Sequence, residues 1–325
     1  MKYKFLGNTG IKVSSLCMGT LTFGNGADKK TSAELFSRCR DVGINFFDCA
    51  NVYAKGVSEE ILGELVAPCR NEIVLTSKFY GGMGEDVNAR GASRFHIRQA
   101  VEASLRRLKT DRLDVYFMHH FPENIPLEEA LRSLNDLVRS GKILHIGASN
   151  FAAWQVAKAL GISTFRTWSR IDVIQPMYNL VKRQAEVEIL PMAQSESLGV
   201  ITYSPLGGGL LTGKYRAKRG QDGRITDNPM YKARYGYDNL YNIASSFSAF
   251  SDAHNYEPAA LAVAWAAAHP AVTAPIIGAR SLEQLEGSLK SLDIKMTEEL
   301  RDEISALSPQ PPLATDREDE RQKWE

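Results

Sequence analysis

Four side chains in the first 120 residues can move protons or stabilise charge: Asp48, Tyr53, Lys78 and His119. Three of them close short apolar runs: Ile44-Asn45-Phe46-Phe47-Asp48, Ile73-Val74-Leu75-Thr76-Ser77-Lys78 and Leu113-Asp114-Val115-Tyr116-Phe117-Met118-His119. Each run reads as a buried strand, and the group that ends it is costly to bury unpaired. Tyr53 follows Asp48 in the loop. Acid, phenol, ammonium and imidazole meeting at neighbouring strand ends would form a proton-transfer site. Asp48 would fix the ammonium of Lys78, and Lys78 would lower the pKa of Tyr53. Tyr53 would then give its proton to a carbonyl oxygen held by His119. Taken singly, an ion pair, an amphipathic tyrosine and a strand-capping histidine are the plainer explanations. At three consecutive strand ends, catalysis is the better one.

The elements that must position these groups alternate along the chain. Strand-like runs at Leu16–Met18, Ile44–Asp48, Ile73–Lys78, Leu113–His119, Ile143–Gly147, Ile171–Ile174, Val200–Tyr203 and Pro275–Ile277 are each followed by a helical pattern. Those patterns lie near Lys30–Asp41, Ser58–Val66, Arg94–Leu108, Leu127–Val138, Trp154–Leu160, Gln184–Glu196, from Ala259 and over Leu282–Leu289. Eight such units predict an α/β fold of the (β/α)8 TIM-barrel type, with a doubly wound sheet as runner-up. Tyr3–Leu6 and Ile11–Val13 flank Gly7-Asn8-Thr9-Gly10, a hairpin within residues 1–13 that is expected to plug the barrel bottom. Residues 1–307 are then one barrel and 308–325 a Pro-rich, charged tail. Residues 215–240 are expected to be a loop on the catalytic face, placed to act as a lid.

Composition sets limits on partners. The 325 residues are 44% hydrophobic and 24% charged, with a net charge of +1, so neither nucleic acid nor an anionic membrane is an expected partner. Cys17, Cys39, Cys49 and Cys69 show no CxxC and no metal-ligand spacing, which predicts free thiols and no metal. With no apolar leader at the start and no apolar run long enough to span a bilayer, a cytoplasmic location is expected. Nothing in the sequence sets an oligomeric state.

Seven blocks in order then carry a resemblance, extending from the hairpin to about residue 306. They are Gly43-Ile44-Asn45-Phe46-Phe47-Asp48 with Tyr53, Thr76-Ser77-Lys78, Asp114–His119, Gly147-Ala148-Ser149-Asn150-Phe151, Gln175-Pro176-Met177-Tyr178-Asn179, Tyr203-Ser204-Pro205-Leu206 and Gly278-Ala279-Arg280. The chain resembles an aldo-keto reductase. That resemblance implies reversible hydride transfer between a nicotinamide and a carbonyl, with Asp48, Tyr53, Lys78 and His119 as catalytic residues. It also implies that Tyr203 stacks on the nicotinamide while Ser149, Asn150 and Gln175 hold its carboxamide. Gly19 and Thr20 match positions near the cofactor. Ser204, Pro205, Leu206, Gly208 and Lys214 match the loop around the pyrophosphate.

The same segment, Gly208–Lys214, fits the start of a P-loop, but Tyr215 stands where a Ser or Thr must hold magnesium. No GxGxxG follows a strand, so a Rossmann site is unsupported. Arg280, with Gln284, resembles the grip on an adenosine 2′-phosphate, and a guanidinium there favours NADPH. Gly287-Ser288 departs from the Glu-Asn of many relatives, which weakens or replaces an adenine clamp. Phe23, Tyr80 and Phe121 are expected to wall an apolar substrate pocket, suited to hydrophobic or aromatic aldehydes and ketones. Phe36 and Trp265 are expected in the core. The alternative to an enzyme is a nicotinamide-binding regulatory protein of the same fold, like potassium-channel β-subunits. A metal-dependent barrel hydrolase is a second rival, opposed by the scarcity of ligands at strand ends.

Overall fold

The computed structural model describes residues 1–215 and 224–315. A two-stranded antiparallel hairpin comes first, β1 (Tyr3–Phe5) and β2 (Lys12–Ser14). The barrel strands follow: β3 (Cys17–Gly19), β4 (Phe46–Asp48), β5 (Val74–Phe79), β6 (Leu113–Met118), β7 (Ile143–Ser149), β8 (Ile171–Gln175), β9 (Gly199–Thr202) and β10 (Ala274–Ile277). They close in the order β10-β3-β4-β5-β6-β7-β8-β9, all parallel. This is the expected (β/α)8 barrel with an N-terminal hairpin.

Alternation along each strand divides the core in two. Cys17, Phe46, Val74, Val115, Phe117, Val173, Ile201 and Ala274 form an interior cluster. Met18, Phe47, Leu75, Tyr116, Ile146, Ile174 and Val200 face outward into a larger cluster with the helices, which includes Phe36 and Trp265. Leu6 and Val13 of the hairpin join the interior cluster, so the hairpin does stop the bottom of the barrel. Its fit there depends on Gly7. The residue has φ of +55°, and a Cβ would stand 2.3 Å from the backbone N of Gly199. Gly7→Ala should therefore destabilise the fold by about 1–3 kcal/mol, since neither backbone can give way. Urea unfolding checks this, and an unchanged midpoint would remove the hairpin from the stability of the barrel.

Two helix expectations change. The Gln184–Glu196 helix is a 3-10 turn, Gln184–Glu186, and a separate helix, Ile189–Ser195. Pro191 lacks an N–H and fits only a first helical turn, which forces a restart just before it. The 215–240 segment is not one loop. Residues 216–223 lie outside the described residues, but Arg224–Asp227, Pro229–Tyr235 and the start of Asp238–Ala253 are helical. The side chain of Asn228 accepts from the N–H of Met230 and of Tyr231, and Pro229 opens the second helix. Of the tail, residues 316–325 also lie outside the described residues.

Candidate active site

The inward parity of the strands, continued to their C-terminal ends, gives Gly19, Asp48, Thr76 and Lys78, His119, Ser149, Gln175, Tyr203 and Gly278. The expected site is thus the uppermost layer of the barrel filling. Lys78 is wholly buried, and its ammonium donates to Asp48 Oδ1 at 2.7 Å, Asp48 Oδ2 at 2.6 Å and the carbonyl of Cys49 at 2.7 Å. Asp48 Oδ1 also accepts from Thr76 Oγ1 at 2.8 Å and Gln175 Nε2 at 2.9 Å. Both carboxylate oxygens of Asp48 thus engage the ammonium. The pair is a fixed internal charge, held in geometry that offsets its desolvation.

Tyr53 Oη lies 3.5 Å from Lys78 Nζ, and the Tyr53 and His119 rings stand nearly perpendicular with centroids 6.3 Å apart. Both residues are half-buried, and among the described residues neither side chain has another hydrogen bond. The backbone beyond Tyr53 runs through left-handed Ala54 and Lys55, with φ of 48° and 55°. Tyr80, Asn150 and Ser204, also at positive φ, each sit just past a strand end on the same rim. Strain of this kind, about 1–3 kcal/mol per residue, persists where surrounding contacts over-determine the conformation.

One expectation is reversed. Burial pushes the Tyr53 phenol up to about 12, outweighing Lys78, which pulls the other way. Tyr53 therefore keeps its proton at neutral pH. For Lys78, burial alone would lower the pKa, but Asp48 and Tyr53 hold it above the ordinary lysine value. His119 is driven down to about 3 by burial, then by Lys78 and His120, so its imidazole is neutral. The arrangement offers one protonated phenol and one neutral imidazole over a permanent cation.

Behind this layer, Ser77 faces the opposite side of β5. Its hydroxyl donates to the wholly buried Glu59 at 2.5 Å, which also takes Arg107 Nε at 2.7 Å. Glu59 lies in Val57–Val66, the helix that follows Tyr53, so this network ties β5 to the Tyr53 turn. Sequence reading missed Glu59 and Thr76. For Thr76 the signal was present, since it precedes Lys78 by two and must share its face.

The residues expected around a nicotinamide are linked to one another. Tyr203 Oη donates to Asn150 Oδ1 at 2.7 Å, and Asn150 Nδ2 donates to the His119 carbonyl at 2.9 Å. Ser149 Oγ donates to the Gln175 carbonyl at 3.0 Å. Gln175 spends its amide N–H on Asp48, while its amide oxygen has no partner among the described residues. Thr20 Oγ1 is turned to the Asp48 carbonyl and is buried. At the next strand ends, Gly278 leaves open ground with only Gly19 O within 4 Å of its notional Cβ, and Gly208 has φ of +67°. Lys214 and Arg280 are exposed, and Arg280 has no carboxylate partner among the described residues. The side-chain oxygen of Gln284 accepts from the Arg280 N–H, and Ser281 caps the helix Leu282–Leu289. A free guanidinium at a helix N-terminus suits a phosphate, and an amide acceptor left without a partner suits a carboxamide N–H. A nicotinamide dinucleotide fits these groups.

Of the expected pocket wall, Phe23 is fully buried in the main core and presents no surface to a substrate. Its loop folds inward, with the Phe23 N–H bonded to the Thr20 carbonyl. Tyr80 and Phe121 are half-buried at the rim. Phe121 packs at 5.3 Å on Phe151 and 5.8 Å on Trp154, which is 60% exposed. Tyr80 packs at 5.5 Å on His120, and His120 stacks at 5.2 Å on His119. Trp154 and Phe151 are additions that no periodicity marks, since their contact with Phe121 crosses from the loop after β6 to the loop after β7 and the start of its helix, Ala153–Arg166.

Residues 15–309 match the model of the aldo/keto reductase family. An uncharacterized oxidoreductase of Bacillus subtilis is 36% identical, over 96% of this chain and 97% of its own. A probable voltage-gated potassium channel subunit beta of Oryza sativa is also 36% identical, over 97% and 99%. A versiconal hemiacetal acetate reductase of Aspergillus parasiticus is 30% identical, over 92% and 94%. Sequence, barrel and site agree: the chain belongs to the aldo/keto reductase family.

Proposed function

We propose that this protein reduces aldehydes and ketones to alcohols with NADPH, with Tyr53 as the general acid. The observation that carries this reading is the buried Lys78–Asp48 pair at the barrel rim, 3.5 Å below the Tyr53 hydroxyl. When bound, the cofactor supplies a hydride to the carbonyl carbon. Tyr53 gives its proton to the carbonyl oxygen, and the phenolate left behind faces the Lys78 ammonium. His119, neutral, donates one hydrogen bond to the same oxygen and fixes its direction. Asp48, with Thr76 and Gln175, holds Lys78 in place. Ser149, Asn150 and Gln175 orient the carboxamide against Tyr203. Gly19, Ser204, Pro205, Leu206, Gly208, Lys214 and Gly278 line the remainder, with the buried Thr20 behind them, and Arg280 with Gln284 binds the 2′-phosphate.

Tyr80 and Phe121 form the apolar wall, so the partner is a small hydrophobic or aromatic carbonyl compound rather than nucleic acid or membrane. No helix among the described residues is long and apolar enough to cross a membrane, and four free cysteines suit a reducing cytoplasm. Residues 1–307 act as one unit.

NADPH oxidation with a panel of aldehydes, run beside NADH, tests the reading. Turnover should prefer NADPH, and Arg280→Ala should narrow that preference by about 10- to 100-fold. Tight NADPH binding without turnover of any carbonyl would instead favour a nicotinamide-binding regulatory protein. The relatives named as potassium channel β-subunits are the observation on that side.

A further inference from the structure

The excursion between β9 and β10 returns over the candidate cofactor cleft as the helix Pro229–Tyr235. Tyr231 and Tyr235, one turn apart, lie against Gly208, where a Cβ would stand 2.9 Å from Tyr235 and 3.2 Å from Tyr231. Tyr235 is wholly buried, and its hydroxyl accepts from Asn179 Nδ2 at 3.3 Å and sits 3.1 Å from the sulfur of Met177. The helix is thereby pinned to the glycine turn Gly207–Thr212. It carries Arg234, whose guanidinium is 6.0 Å from the Tyr203 ring and 6.0 Å from the Tyr231 ring. Arg234 is half-buried, and no carboxylate pairs with it among the described residues. A partly desolvated guanidinium facing aromatic rings retains most of its hydrogen-bonding capacity for an anion.

The position of that cation is informative. Tyr203 follows β9 and Arg280 follows β10, its direct neighbour in the barrel. A dinucleotide with its nicotinamide at Tyr203 and its 2′-phosphate at Arg280 must lay its diphosphate between them, beside Ser204–Gly208. Tyr203 and Gly208 bound that ground, and the Arg234 helix touches both.

We propose that Arg234 is a further cofactor-binding residue, whose guanidinium pairs with the diphosphate of NADPH. This rests on the cofactor reading above. The test compares wild type, Arg234→Gln and Arg234→Lys in their affinity for NADPH, for NADP+ and for 2′-AMP. The last keeps the 2′-phosphate but has no 5′-phosphate, and so neither half of the diphosphate. Quenching of tryptophan fluorescence or calorimetry reads binding directly, without turnover.

Arg234→Gln should weaken NADPH and NADP+ about 10- to 100-fold and 2′-AMP by less than about twofold, with Arg234→Lys recovering part of the loss. Unchanged NADPH affinity in Arg234→Gln would overturn the assignment. So would an equal loss for 2′-AMP, or a change confined to KM for anionic aldehydes. If wild type binds neither NADPH nor 2′-AMP, the cofactor reading fails and this inference falls with it. If wild type binds and turns over normally while Arg234→Gln matches it, only this inference fails.

Discussion

Tyr53→Phe should lower kcat for aldehyde reduction by about 10²- to 10⁴-fold while NADPH affinity changes less than about twofold. The substitution removes one oxygen, the group at this rim that combines a held proton with a cation beneath it. The ring stays, so packing on His119 is kept. The pH dependence separates this mechanism from its rivals. Tyr53 must be protonated to act as acid, and its pKa of about 12 leaves it so throughout the neutral range. His119 must be neutral to hydrogen-bond the oxygen in the proposed way, and its pKa of about 3 leaves it so. Hence kcat/KM for reduction should be flat from about pH 5 to about pH 9. Alcohol oxidation needs the phenolate, so its rate should climb about tenfold per pH unit over the same range. A bell centred near neutrality, or a Tyr53→Phe variant with wild-type kcat, would falsify the assignment of the acid.

Lys78→Met should cost about 3–5 kcal/mol of stability, a drop in Tm of roughly 4–7 °C. The ammonium is fully buried and supplies three of the hydrogen bonds that satisfy the site. Removing it leaves the Asp48 carboxylate in the barrel with only Thr76 and Gln175 as donors. An uncompensated buried charge is the costly product, not the lost pair. The double variant Asp48→Asn with Lys78→Met should therefore regain much of the lost stability, though no activity. Thermal and urea unfolding of the three proteins checks this. Additive losses in the double variant would mean that the two charges do not depend on each other.

Much of this site was legible in the chain because strand alternation is a one-dimensional rule. Asp48, Lys78 and His119 close apolar runs, and the parity that buries Phe46, Val74 and Phe117 in the barrel also places those three at its mouth. The same parity carries Ser149, Gln175, Tyr203 and Gly278. Helix punctuation was equally local: Asn228-Pro229 and Ser281 start helices wherever they lie. The helix Pro229–Tyr235 was read as loop because its Tyr231 and Tyr235 bury against Gly208, a contact between segments that sequence spacing does not reveal.

The sequence by itself determined the barrel, which four side chains are proposed to react, and their arrangement around one rim. Each of these follows from residue order and a period of two. The tertiary structure decided what those groups are worth. It set the protonation of Tyr53, where burial opposed and overcame the nearby cation. It took Phe23 out of the pocket and brought Trp154 beside Phe121. It also placed Arg234 over Tyr203, thirty-one positions away in the chain. Desolvation and contact between loops depend on what surrounds a group from every direction, and that is fixed only when the whole chain has closed.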